Sequence, residues 1–162
     1  MEITANAIRQ SPIKDGIAGV ASRALAALDH YAVPLLDLAI RLYVGSVFFL
    51  SGLTKIQSWD TTLALFENEY SVPLLPPQVA AYLGTFTELF MPVLLVLGLG
   101  GRLSALVLFV FNIVAAISYP DLSPAGLVQH QMWGALLLVT LLHGPGKLSI
   151  DHAIRRRFGL SH

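Results

Sequence analysis

The sequence predicts an all-α integral membrane protein: a four-helix bundle with an N-terminal amphipathic helix at the membrane surface. Three observations carry this. Of the 162 residues, 55% are hydrophobic and only 12% charged, about half the charge of a soluble domain. Four apolar stretches are each bounded by Gly, Pro or charge, and each is long enough for a hydrocarbon core of roughly 30 Å. Within them, the polar and small residues fall on single stripes when projected at about 100° per residue.

The elements follow in order. Residues 1–33 lack the compact apolar core and cleavage site of a signal peptide. Ile17, Val20, Ala21, Ala24, Leu25, Leu28 and Tyr31 recur at helical spacing, with Arg23 and Asp29 between them. That pattern suits a helix lying on the membrane. The bundle is expected over residues 34–146. Its spans run from about Pro34 to Thr54, Val79 to Leu97, Leu103 to Tyr119 and Leu127 to His143. The long connection begins near Lys55, where "SWDTT" starts a short interfacial helix and "SVPLLPP" ends it. Trp59, Tyr70, Tyr82 and Tyr119 suit an aromatic belt at that end. Residues 147–162 form a basic tail, with a short helix expected over residues 149–158 against anionic lipid.

Orientation follows from the basic residues. Arg9, Lys14, Arg23, Arg102, Lys147, Arg155, Arg156 and Arg157 fall on the side shared by both termini, and only Lys55 falls on the other. The positive-inside rule then places both termini in the cytoplasm of a bacterial inner membrane. With zero formal net charge there is no electrostatic case for nucleic acid. With no cysteine, this chain carries no thiol or disulfide chemistry of its own.

Charge within the spans is the informative feature, because each buried Glu or Arg costs about 2.5–3.5 kcal/mol on the lenient insertion scale. Asp37, Arg41, Gly45, Phe48, Gly52 and Lys55 share one stripe of the first span. Ala81, Gly84, Glu88 and Pro92 form one on the second, and Asn112 lies on the third. His130 and Gly134 share a face of the fourth. Depths counted from the span ends predict an Asp37–Arg41–Glu88 network with Asn112 nearby. They also predict a second cluster of Lys55, His130 and Gln131 or Asp121. Pro92 is expected to open room beside Glu88.

These residues also carry a family resemblance. Arg41, Gly45, Phe48, Gly52 and Lys55 resemble the first span of the DoxX family. "YSVPLLPP", the central Glu88 and the "LGLGGR" exit resemble its second span, and "LLHGPGKLSID" its ending. The resemblance covers about residues 35–152 and implies a four-helix membrane protein. It also implies a link to redox complexes such as the membrane part of thiosulfate:quinone oxidoreductase, or to redox or metal stress.

The expected function is a membrane subunit of a redox complex that interacts with quinone or quinol. Glu88 and His130 are the candidate catalytic residues, and Arg41, Lys55, Glu88 and Asn112 the candidate quinone-binding residues. Lys55 and His130 also suit an outer anion site. Each has a structural alternative: an ion pair that clamps helices, a lysine reaching the interface, an asparagine bonded to a neighbouring helix. A non-catalytic anchor for a partner protein is the second function class and a small-solute transporter the third. Haem is not expected, because His30, His143 and His152 offer no facing pair at matched depth, and no metal site is expected either. Expected partners are lipid, quinone, a soluble or membrane redox protein, and further copies of the chain.

Overall fold

The computed structural model describes residues 12–159. Arg9 and the side chains of Lys14 and Ile17 lie outside what is described. Among the described residues the chain is helical throughout: α1 (Pro12–Ala27), α2 (Val33–Gln57), α3 (Trp59–Asn68), α4 (Pro77–Leu97), α5 (Gly101–Ser118), α6 (Pro124–His143) and α7 (Ile150–Phe158). Helices α2, α4, α5 and α6 are long and apolar enough to cross a membrane. The structure is an all-α membrane helical bundle. Each observed span begins one to three residues before its expected start.

Helix α1 joins α2 through a π-helical turn at Leu28–Ala32, which takes up an extra residue without breaking the helix. Val20, Leu25, Leu28 and Tyr31 are exposed along it. In a membrane protein such an apolar stripe faces lipid.

The core takes one or two residues from every span. Val44 and Phe48 of α2 meet Leu95 of α4, Ala105 and Leu108 of α5, and Leu137 of α6. Helices α2 and α4 approach closest. A Cβ on Gly45 would lie 2.6 Å from Val96 Cγ2, and one on Gly52 would lie 2.9 Å from Leu89 and 3.0 Å from Glu88 Cβ. Lipid gives no hydrophobic drive for helix association, so close backbone contact at small residues supplies dispersion instead. These contacts fix an antiparallel register in which Gly45 faces Pro92 and Val96, and Gly52 faces Glu88 and Leu89.

Helix α3 lies over the start of α4. Phe66 packs on Ala80 and Ala81, with Trp59, Leu63, Tyr70 and Val72 around them. The following turn is tied to the end of α5 by Ser71 N–H, which donates to the Ser118 carbonyl at 2.8 Å. The aromatic residues expected at this far face are paired: Trp59 with Tyr82 at 4.7 Å and Tyr70 with Tyr119 at 5.4 Å between ring centroids. At the opposite, terminal face the chain after α6 folds back over the bundle. Asp151 accepts from the N–H groups of Gly100 and Gly101, both at 2.9 Å, and so caps the start of α5.

Candidate functional site

The in-span charges form two separate clusters, and the pairing differs from the expected Asp37–Arg41–Glu88 network. At the terminal face Arg41 is fully buried. Its guanidinium donates to the carbonyls of Val96 at 2.8 Å and Leu95 at 3.4 Å, and to that of Leu148. The Leu95 and Val96 carbonyls belong to the last turn of α4, where helical carbonyls lack i+4 donors and the dipole favours a cation; the Leu95 carbonyl also accepts from the capping Gly98 N–H at 3.1 Å. Gly98, at φ 63°, ends α4 in the left-handed conformation. A Cβ there would come within 2.7 Å of the Arg41 guanidinium, so glycine meets both the turn and the approach. Asp37 pairs with His143 Nδ1 at 3.0 Å.

Glu88 pairs instead with Lys55. Lys55 Nζ lies 2.6 Å from Glu88 Oε2, and Ser51 Oγ donates to Glu88 Oε1 at 3.1 Å. The register explains the correction. Arg41 is level with Leu95 and Val96, which lie seven and eight residues beyond Glu88, or about 10–12 Å along the helix. Counting the depth of Arg41 from Pro34 and that of Glu88 from Val79 puts the two within reach of each other, whereas the start of α2 extends well past the end of α4. Lys55, one turn beyond Gly52, points its stem inward and reaches the carboxylate.

The fourth span contributes His130. Asn112 Nδ2 donates to the His130 carbonyl at 2.8 Å, and Asn112 Oδ1 lies 2.8 Å from His130 Nδ1. The carbonyl accepts only, so the Asn112 amide has one allowed orientation and its Oδ1 is an acceptor. His130 Nδ1 must therefore carry the proton, and in the neutral ring Nε2 carries the lone pair.

Lys55, Glu88 and His130 line one cavity of about 320 Å³. Ser51 joins them on its wall. Phe48, Phe111 and Trp133 supply aromatic faces, and Phe66 of α3 and Tyr70 just after it cover the cavity. Phe48 lies 6.1 Å from both Phe111 and Trp133, and Trp133 lies 5.0 Å from His130, all edge to face. Ser118 and Trp133 also line the cavity, and their polar side-chain atoms are buried without a hydrogen-bond partner.

The structure thus brings Lys55, Glu88 and His130 to one cavity. Arg41 does not line it, and Asn112 acts there only through His130. Asp121 and Gln131 are exposed and outside it. Pro92 packs on Gly45 and does not line the space beside Glu88. Ser51, Ser118 and Trp133 were missed from the sequence. Ser51 was readable, one turn before Lys55 on the same helix. The other two show only once α5 and α6 are docked.

Comparison with known proteins agrees with this architecture. The DoxX family model matches residues 36–120, just over half of the chain. An uncharacterized protein of Haemophilus influenzae is 30% identical over 128 residues, covering 74% of this chain and 83% of that protein. No solved structure matches the chain. With four apolar spans and a match reaching from α2 just past the end of α5, this multi-pass membrane protein belongs to the DoxX family.

Proposed function

We propose that the cavity between Lys55, Glu88 and His130 binds a quinone or quinol headgroup, and that the chain is the membrane subunit of a redox complex. The observation that carries this reading is a buried ion pair and an oriented histidine on one aromatic-walled cavity. A pair that only clamped helices would have no need of the space beside it.

The residues present fit such a headgroup. A volume of about 320 Å³ lies at the lower end of small-ligand sites. Phe48, Phe111 and Trp133 offer faces and edges for a planar ring. The unpartnered Ser118 hydroxyl and Trp133 indole N–H are donors that a carbonyl oxygen on a ring would satisfy.

A bound quinone would supply two-electron, two-proton chemistry. The chain's own residues handle the protons. Lys55 donates to an oxygen at its end of the cavity, and Glu88 holds Lys55 in place. His130 Nε2 accepts a proton from a hydroxyl, with Asn112 keeping the ring in the accepting tautomer. The chain has no cysteine, so electrons are supplied by a small substrate or a partner protein. The basic residues at the terminal face, among them Arg102, Lys147 and Arg155–Arg157, support a bacterial inner-membrane location with that face in the cytoplasm.

The test is extraction of quinone from protein purified in mild detergent, counted per chain against an unrelated four-span protein. About one quinone per chain, lost in Glu88→Gln and His130→Leu, is expected. Quinone at the control level in every sample would overturn the reading. That result would leave an anchor for a partner protein, the role the structural contacts of Arg41 and Asp37 would serve.

A further inference from the structure

A second cavity, of about 470 Å³, lies at the terminal face. It is walled by the start of α2, the start of α5, the turn after α6, and α7. Its charged lining is Asp29, Asp37, Arg102, Lys147, Asp151 and Arg155, with His143 and His152. The acids and the cations there are in different states. Asp151 is engaged by two backbone N–H groups, and Asp37 by His143. Of the three acids, only Asp29 has an uncommitted carboxylate, and its carbonyl takes Lys147 Nζ at 3.5 Å. Arg102 reaches only the Leu142 carbonyl, at 3.4 Å. Among the described residues, Arg102, Lys147 and Arg155 form no ion pair. The cavity therefore presents three exposed cations without an ion-pair partner, beside one aspartate, Asp29, whose carboxylate is also free.

We infer that this cavity binds the phosphodiester headgroup of an anionic phospholipid. Three cations on the wall of one cavity, each with free N–H donors, suit a phosphate, and arginine supplies planar, forked donors. The surroundings favour lipid over free phosphate. The cavity sits at one end of the spans, where headgroups lie. Helix α7 also carries Ile150, Ile154 and Phe158 on a single exposed stripe, spaced to lie on acyl chains while its arginines meet headgroups. Of the three aspartates that could oppose an anion, Asp37 and Asp151 are already committed to protein donors, which leaves Asp29 alone against three cations. This inference does not depend on what occupies the cavity between Lys55 and Glu88.

The experiment measures lipid binding by native mass spectrometry of the full chain. Phosphatidylglycerol is titrated against phosphatidylcholine of the same acyl chains. Two charge-matched variants are compared: Arg102→Gln/Arg155→Gln, in the cavity, and Arg156→Gln/Arg157→Gln, on the same helix outside it. Tight one-to-one phosphatidylglycerol binding is expected, weakened about thirtyfold in the cavity variant and kept in the other. Circular dichroism checks that both remain helical. Equal weakening in the two variants would reduce the effect to diffuse charge and overturn the site, as would equal binding of both lipids. Displacement of the lipid by millimolar inorganic phosphate would overturn the lipid assignment and make this a free-anion site.

Discussion

Lys55 of α2 and Glu88 of α4 form an ion pair at 2.6 Å, with only 19% and 7% of their side chains exposed. The pair crosses the bundle's tightest helix contact and stands on the wall of its aromatic cavity. Removing one partner leaves the other charge buried alone, which costs about 3–5 kcal/mol in protein interiors. Lys55→Met should therefore destabilise the bundle by about 3 kcal/mol. The double variant Lys55→Met/Glu88→Met should recover most of that loss. Equilibrium unfolding in mixed detergent micelles measures both. A double variant as unstable as the single would mean that the pair itself holds the helices together.

Asn112 fixes the tautomer of His130 through two contacts of 2.8 Å. Nitrogen-15 spectra of the neutral ring should show a protonated Nδ1 and an unprotonated Nε2. Asn112→Ala should give a mixture of tautomers and cost about 2 kcal/mol, near 1 kcal/mol for each hydrogen bond lost. Wild-type protein with the proton on Nε2 would remove His130 from the role of proton acceptor.

Two glycines of the bundle should respond oppositely. At Gly52 a Cβ would meet Leu89 and Glu88 at 2.9–3.0 Å, so Gly52→Val should push α2 from α4 and cost about 1–3 kcal/mol. At Gly84, on the cavity wall, a Cβ would meet Phe66 at 3.6 Å and Phe111 at 3.7 Å, an ordinary contact. Gly84→Ala should leave stability within about 0.5 kcal/mol of wild type. The larger Gly84→Met should fill cavity volume and lower bound quinone with little loss of stability. Thermal unfolding and quinone extraction on the same samples separate the two effects.

Tyr70, in the cover over the cavity, has a phenol pKa raised above its ordinary value of 10.0. Burial is the main cause, followed by Tyr119, Glu69 and Glu88. A raised pKa means the folded state holds this proton more tightly than the unfolded chain. The contribution to stability is then complete below the unfolded value and is lost as pH rises through the folded one. Absorbance at 295 nm should show one tyrosine ionising after the others, and Tyr70→Phe should remove that step. Stability should decline less steeply at alkaline pH in the variant than in the wild type.

The fold was legible because lipid enforces it. Apolar length and Gly or Pro breaks located all four spans, "SWDTT" marked the start of α3, and the helix expected over residues 149–158 is α7. The stripes named the inward residues correctly: Asp37, Arg41, Glu88 and Asn112 are all buried. Their pairing was not legible, because it depends on how far α2 slides along α4. A slide of two turns decides whether Glu88 meets Arg41 or Lys55. Gly45 and Gly52 fix that slide, but which residues of α4 they touch is a property of the docked pair. Lysine added a further ambiguity, since its stem can extend toward the interface or inward.

The Arg41 clamp also sets an order of assembly. Its guanidinium binds carbonyls 54, 55 and 107 residues further along the chain. At a synthesis rate of about 5–20 residues per second, Leu148 emerges roughly 5–20 seconds after Arg41. Throughout that interval the first span resides in the translocation machinery or the bilayer with an arginine that is not yet fully solvated by protein. The bundle is sealed only when the turn after the last span folds back onto the first. A nascent chain that stops before Leu148 would contain every span and still leave the clamp on its oldest helix open.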